Sequence, residues 1–312
     1  MSFERIAIIG LGLLGGSIGL AVAEYLPHAR TTGFDMDPAV RDRARQRGLA
    51  DSIRDSAAEA VADADLVILC VPVGAMAAAA DAIADALPPG AVVSDVGSSK
   101  RTTADALAAA LPGRCVIPAH PVAGTEQSGP DAGFATLFRQ RWCIVTPPEG
   151  ADPEKVSALI AFWESLGAMV ETMDPDHHDR VLAVTSHIPH LIAYTIVGTA
   201  SDLEEVTRSE VIKYSAGGFR DFTRIAASDP TMWRDVFLHN REAVLEMLDR
   251  FLTDLAFMRE AIKAGDGETM FDMFTRTRSI RRSIVALGQD DARADFGRLD
   301  HGAGEEGKPP AA

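Results

Sequence analysis

The residues of this chain best suited to chemistry are histidines, arginines and a serine set in four polar stretches. Asp95-Val96-Gly97-Ser98-Ser99-Lys100 directly follows an apolar run. Ala119-His120-Pro121-Val122-Ala123-Gly124-Thr125-Glu126-Gln127-Ser128-Gly129 follows another and has one histidine at its head. Ser186-His187-Ile188-Pro189-His190 places two histidines three apart, on one face if the segment is helical. Gly217-Gly218-Phe219-Arg220-Asp221-Phe222-Thr223-Arg224-Ile225-Ala226 carries two arginines and an aspartate. A neutral imidazole can take a proton near neutral pH, and a guanidinium fork matches a carboxylate. Plainer roles stand beside these. Ser98 or Ser99 can be a helix N-cap, and Arg220 and Arg224 can be surface charge. An HxxH pair without a carboxylate or cysteine ligand beside it does not make a metal site, so no metal is expected. Pro189 should kink its helix and free backbone groups there. His177 and His178, between Asp176 and Asp179, read as a solvated helix start.

These stretches need a frame, and the N-terminus begins one. Ile6-Ala7-Ile8-Ile9 reads as a buried strand, and Gly10-Leu11-Gly12-Leu13-Leu14-Gly15-Gly16-Ser17 turns out of it into a helix. In this G-x-G-x-x-G context Gly10 permits the tight turn. Gly12 lets the backbone approach a pyrophosphate, and Gly15 lets the helix pack on the strand. The helix start offers free N–H groups and a positive dipole end to an anion. A second strand, Thr31-Thr32-Gly33-Phe34-Asp35, ends in an acid about twenty residues on, where a ribose would lie. The cofactor contacts expected are Gly10, Gly12, Leu13, Leu14, Gly15, Asp35, Val71 and Pro72. The acid favours NAD over NADP, because it accepts ribose hydrogen bonds and repels a 2′-phosphate.

Strands and helices alternate from there to Asp174. Helices are expected over 38–47, 57–64, 75–87, 102–111 and from Asp152-Pro153 to Leu166. Asp65 to Pro72 is a continuous apolar run of the kind a parallel strand buried on both faces shows. Ala91 to Val96 is another strand. Cys115 to Pro118, Trp142 to Val145 and Ala168 to Glu171 are further candidates, the last closing the sheet. Such alternation predicts an α/β doubly wound parallel sheet. Beyond Asp174-Pro175 the chain reads as all helical. A helix spans 176–200, interrupted by Pro189, and another starts at Ser228-Asp229-Pro230. Val244, Leu248, Phe251, Leu255, Met258 and Ile262 then form a seam at three- and four-residue spacing. Glu268 to Leu287 is one more helix. The expected organisation is a dinucleotide-binding domain over 1–174, a helical substrate and dimerisation domain over 175–288, and a disordered tail over 289–312.

Composition narrows the class. The 312 residues carry 45 acidic and 30 basic side chains, a net charge of −15, which disfavours nucleic acid and anionic membranes as partners. Hydrophobic residues make up 47%, enough for a sizeable core. No apolar run reaches membrane-spanning length without glycine, proline or charge. Cys70, Cys115 and Cys143 are scattered, without metal or disulfide spacing, and fit a reducing cytoplasm. The first strand follows Met-Ser-Phe-Glu-Arg directly, so no signal peptide is read.

Together the motifs resemble the prephenate/arogenate (cyclohexadienyl) dehydrogenase family of tyrosine biosynthesis. The resemblance runs from GLGLLGGS through DVGSSK, HPVAGTEQSG and SHIPH to GGFRDFTRIAASDPTMWRD, about nine tenths of the chain. The HPxAGxExSG and TRIAxSDPxMW patterns are its specific parts. It implies His120 as catalytic and Ser98 as its support. It implies His190 in the substrate pocket and Arg224 on a substrate carboxylate, with Arg220, Thr125 and Glu126 beside them. It also implies NAD as cofactor, a homodimer through the helical domain, and oxidative decarboxylation of prephenate or arogenate. Two rivals remain at this level. A β-hydroxyacid dehydrogenase would need a catalytic lysine, for which Lys213 is the nearest candidate. A non-catalytic dinucleotide sensor would bind cofactor without turnover.

Overall fold

The computed structural model describes residues 2–125, 127–207 and 217–286. It forms two compact units, Met1–Leu248 and Asp249–Ala312. The first unit therefore continues well past Asp174, where the alternation of strand and helix stops.

The main sheet is built from β1 (Arg5–Ile9), β2 (Arg30–Phe34), β3 (Ser52–Ile53), β4 (Leu66–Leu69), β5 (Val92–Asp95) and β6 (Cys115–Val116). Its order is β3-β2-β1-β4-β5-β6, and every pairing is parallel. That is the order of the doubly wound dinucleotide-binding sheet. Alternate residues feed opposite faces, as the two-residue period of a strand requires. Ile6, Ile8, Leu66, Ile68 and Val92 join one core cluster, and Ala7, Ile9, Val67, Leu69 and Val93 join the other. Helices α1 (Leu13–Tyr25), α2 (Pro38–Arg47), α3 (Ala57–Val61), α4 (Met76–Asp81) and α5 (Arg101–Ala110) connect the strands. Several start on side-chain caps. Asp37 accepts from Ala39 N and Ser56 from Glu59 N, each satisfying an orphan donor of the first turn. Gly48 ends α2 at φ 62°, a left-handed C-cap.

Two expectations change here. The alanine-rich helix expected over 75–87 is regular only over Met76–Asp81, and turns carry the chain to Leu87. Trp142–Val145 and Met169–Thr172 do not close the main sheet. They are β8 and β9 of a separate three-stranded sheet, order β7-β8-β9. Its β7 (Ala119–Pro121) runs antiparallel to β8, with His120 opposite Ile144. His120 thus lies within a strand and not in the loop that the sequence suggested. Helix α6 (Pro153–Ser165) links β8 to β9.

From Asp174 onward the chain is helical. α7 (Pro175–Leu182) passes through a π-helical turn, Ala183–His187, into α8 (Ile188–Thr207). The π turn lies immediately before Pro189, whose ring and missing N–H disrupt regular bonding to the preceding turn. The run Pro175–Asp202 is long and apolar enough, by length and composition, to cross a membrane. It is also where His178, Asp179 and His187 are buried among protein groups. α9 (Gly217–Thr223) and the 3-10 turn Arg224–Ala227 precede α10 (Pro230–His239), which Asp229 caps by accepting from Met232 N at 2.9 Å. α11 (Arg241–Ala264) and α12 (Gly267–Ala286) follow. The tail expected over 289–312 lies outside the described residues.

Candidate active site

The parallel order puts the carboxyl ends of β2, β1, β4 and β5 side by side, so the groups that leave them line one edge. Gly10 leaves β1 at φ +99°, and a Cβ there would lie 2.5 Å from the Cys70 carbonyl oxygen. A Cβ on Gly15 would lie 1.9 Å from the Gly10 carbonyl oxygen, so α1 can sit this close to β1 only without a side chain. At Gly12 a Cβ would meet nothing within 4 Å. The open space lies over the first turn of α1, where N–H groups are unpaired by the helix itself. Leu13 and Leu14 are half-buried in that turn.

Asp35 follows β2. Its Oδ2 accepts from Leu11 N at 2.9 Å and its Oδ1 from Asp37 N at 3.0 Å. Each oxygen keeps a further lone pair for a hydroxyl donor. Arg41 is partly committed to protein acceptors. Its Nη1 donates to the Asp35 and Met36 carbonyl oxygens, and its Nε pairs with Asp55 at 3.5 Å. Val71 is half-buried and Pro72 exposed after β4.

His120 is held by a buried ionic frame. Lys100 Nζ pairs with Asp95 Oδ2 and donates to the Ala119 carbonyl oxygen at 2.7 Å, while Ala119 N donates to Asp95 Oδ1 at 3.2 Å. Asp95 also accepts from Gly97 N. Both charged groups are fully buried, so each is costly without the other. Burial pulls the Lys100 ammonium below its usual pKa, against the opposing influence of Asp95. The frame fixes the strand carrying His120 to the end of β5.

The imidazole of His120 is joined to residues read in sequence as solvent-facing. His178 is fully buried, not solvated, and its Nε2 lies 2.8 Å from His120 Nδ1. His178 Nδ1 lies 2.9 Å from Asp179 Oδ1. Asp179 accepts in addition from Lys100 N at 2.7 Å and Arg101 N at 3.0 Å, which caps α5 from a distant segment. Asp174 caps α7, and His177 is exposed in its first turn as expected, so only His178 departs from a solvated helix start. The sequence hid this because nothing local distinguishes His178 from exposed His177; the cue was only the Asp-His-His-Asp cluster itself. Asn240 Nδ2 completes the network, donating to the Asp179 carbonyl oxygen and lying 3.0 Å from His187 Nδ1.

Burial drives the imidazoles toward neutrality. His120 is held well below its ordinary pKa by burial first, then by the nearby His178, Lys100 and His187. His178 is lowered by burial, with Asp179 opposing. His187 is pushed down to about 4, again mainly by burial. His190 is lowered by burial and, more weakly, by the positive charge of Arg224. The 3-10 turn that begins at Arg224 packs against α8, which carries His190. His190 stacks on Trp233, ring centroids 3.6 Å apart at 23°, and its Nδ1 bonds the Ser186 carbonyl oxygen at 2.8 Å.

Other expected residues stand apart. Ser98 is half-buried on the loop after β5 and makes no hydrogen bond to His120 among the described residues. Neighbouring Ser99 is fully buried with an unpartnered Oγ. Thr125 and Arg220 are exposed, and Thr125 Oγ1 accepts from Gln127 N. Glu126 and Lys213 lie outside the described residues.

Comparison with known proteins gives one consistent answer. Residues 18–172 match the model for the prephenate dehydrogenase nucleotide-binding domain, and 174–276 match that for the prephenate dehydrogenase dimerization domain. The chain is 43% identical over 282 residues to a cyclohexadienyl dehydrogenase of Zymomonas mobilis, covering 90% of this chain and 96% of that one. It is 33% identical to a prephenate dehydrogenase of Bacillus subtilis, over 90% of this chain and 76% of the relative. A crystal structure of Aquifex aeolicus prephenate dehydrogenase with hydroxyphenyl propionate and NAD+ superposes with a TM-score of 0.85. It shares 32% identity, over 91% of this chain and 99% of that one.

Proposed function

This chain belongs to the prephenate dehydrogenase family, and we propose that it oxidatively decarboxylates prephenate, arogenate or both, with NAD as oxidant. The observation that carries the reading is the buried, neutral imidazole of His120, fixed beside the edge where a dinucleotide binds. The residues fit that cofactor. The space over Gly12 admits a pyrophosphate, and the Asp35 carboxylate, held by two backbone N–H groups, is placed for ribose hydroxyls. The tied-back Arg41 supports NAD over NADP. When bound, NAD accepts the hydride released from the ring carbon that bears the hydroxyl.

His120 receives the hydroxyl proton as that carbon becomes a carbonyl, a role for which a neutral imidazole is suited. Loss of the ring carboxylate as carbon dioxide then leaves an aromatic phenolate, to which the His120 imidazolium can return the proton. Arg224 supplies the cation for a substrate carboxylate, with Arg220 nearby in sequence, and His190, whose Nδ1–H donates to the Ser186 carbonyl oxygen, presents a bare Nε2 that can accept from a substrate N–H or O–H. Ser98, half-buried on the loop after β5, is assigned to support His120 once substrate is bound. Glu126 and Thr125 remain assigned to the substrate side of the loop after β7. Nothing in this set needs Lys213.

We assign dinucleotide binding to residues 1–174 and substrate binding and dimerisation to 175–288, supported by the spans of the two matched family models. Three free cysteines suit a reducing cytoplasm. The direct test is NADH formation with NAD and each substrate in parallel, for wild type and His120→Ala. Wild type should turn over at least one substrate. His120→Ala should lower kcat roughly a hundred- to ten-thousandfold with NAD affinity unchanged. A mutant that keeps more than half the turnover removes His120 from the mechanism.

A further inference from the structure

We propose that His178 and Asp179 are positioning residues that lock His120 in the tautomer protonated at Nδ1, leaving the lone pair on Nε2 to meet the substrate proton. The proposal rests on His120 being the proton acceptor of the reaction above and assigns how that acceptor is prepared.

The hydrogen-bond chain has one direction. Asp179 offers only oxygen acceptors, and Oδ1 lies 2.9 Å from His178 Nδ1, so that nitrogen carries its proton. A neutral His178 then has a bare Nε2. The nitrogen facing it at 2.8 Å, His120 Nδ1, must be the donor. A neutral His120 protonated at Nδ1 has its acceptor at Nε2. That atom makes no hydrogen bond among the described residues and is not one of the sealed polar atoms, whereas His187 Nε2 is. His120 as a whole residue is 7% exposed.

The anchor of the chain is firm. Asp179 is held by the backbone N–H groups of Lys100 and Arg101, and its own carbonyl accepts from Asn240. Arg101 pairs with Asp176 through two bonds of 2.6 Å, which fixes the first turn of α7 to α5. Among the described residues His178, Lys100 and His187 act on the charge of His120, and the Cys143 thiol meets its backbone. Protonating His120 during turnover keeps the same polarity, because Nδ1–H still donates to His178 and Asp179 lies at the far end to offset the charge. The arrangement does the work of the aspartate in a serine-protease triad, with a second imidazole interposed.

Two substitutions separate this role from simple packing. In His178→Leu the acceptor facing His120 Nδ1 is gone, so nothing holds the proton there and the ring can carry it on Nε2, where it is useless as a base. Asp179→Asn is the milder change, because one oxygen, Oδ1, accepts from both Lys100 N and His178 Nδ1, and an amide oxygen kept there preserves the polarity. In His178→Gln an amide oxygen can still accept from His120 Nδ1 while the NH2 donates to Asp179, so the polarity survives. We expect kcat to fall roughly a hundred- to ten-thousandfold in His178→Leu, and to stay within about tenfold of wild type in His178→Gln and Asp179→Asn. NAD affinity and KM should change little.

The deciding measurement is the protonation of the His120 ring nitrogens, read from side-chain nitrogen NMR on 15N-histidine-labelled protein. The His120 signals are identified by their loss in His120→Gln. The proposal expects protonated Nδ1 and bare Nε2 in wild type at neutral pH, the same in Asp179→Asn, and a shift of the proton toward Nε2 in His178→Leu. Protonated Nε2 in wild type overturns it, as does a folded His178→Leu with kcat within twofold of wild type. Should His178→Leu fail to fold, the wild-type spectrum still decides. A wild type inactive on both substrates would sink the assigned reaction, while the spectrum would judge the tautomer separately.

Discussion

Arg224 opens the 3-10 turn that ends at the Asp229 cap, and its charge reaches His190. A guanidinium positioned there can form two parallel bonds to a carboxylate, which a lysine cannot reproduce. One charge-assisted bond is worth about 1.5–3 kcal/mol, so its loss should weaken substrate binding roughly ten- to a hundredfold. The carboxylate is held in ground and transition states alike, so Arg224→Ala should raise KM for substrate with kcat little changed. Arg224→Lys should recover part of the loss. A purely structural arginine would instead lower Tm and alter the KM for NAD as much. His120, His190 and Arg224 could be singled out from the sequence because each stands in an unusual local pattern. His178, Asp179 and Asn240 could not. They act through partners 58 to 79 positions away, and a histidine buried by tertiary packing looks the same in sequence as one in water.

The turn from β1 into α1 gives a sharper separation, because its glycines serve different purposes. Gly12 has φ −77°, and an added methyl meets no protein atom within 4 Å. Gly12→Ala should therefore fold with nearly unchanged Tm, yet lose NAD affinity by roughly tenfold or more, since the methyl would occupy the pyrophosphate's space. An added methyl at Gly15 lies 1.9 Å from a backbone oxygen that cannot move away. Gly15→Ala should push α1 off β1 and cost about 1–3 kcal/mol of stability, with cofactor binding lost in consequence. Thermal unfolding and NAD titration of the two variants test both statements; equal losses of Tm would contradict them. This element was readable from sequence because its geometry is local, an apolar run followed by glycines at fixed offsets. The sheet β7-β8-β9 was not. Its three-residue β7 pairs with β8 more than twenty positions on, across a polar loop, and its alternation is too short to declare a strand. The π turn before Pro189 was half readable, since the proline announces a disruption without specifying its form.

The fold as a whole confines four neutral imidazoles and leaves an apolar helical surface open, and each has a consequence in solution. His120, His178, His187 and His190 all have folded pKa values below the ordinary value of about 6.5. The unfolded chain binds their protons first, so stability is full above about pH 6.5 and falls as pH drops toward about 4, the value for His187. Tm should decline steadily across that window, and a flat Tm would contradict the burial described. The second consequence is association. In Asp249–Ala312 the apolar side chains stay largely open: Leu255 is 48% exposed, Phe257 60%, Ile262 65%, Phe271 69% and Phe274 59%. So many large apolar side chains left open in one unit suit an interaction site, and a closed twofold pair is the commonest way to cover it. The seam from Val244 to Ile262 could instead serve an internal bundle. That alternative is weakened by the exposure of Leu255 and Ile262, whereas Val244, in the first unit, is buried. Sedimentation at micromolar concentration should give a dimer. Leu255→Asp with Phe274→Asp should shift it toward monomer, because a buried unpaired carboxylate on each chain opposes association. His120, His178 and Asp179 all lie in Met1–Leu248, so the dissociated variant should keep the tautomer of His120. A wild-type chain that sediments as a monomer would remove the dimer and leave those helices to another partner.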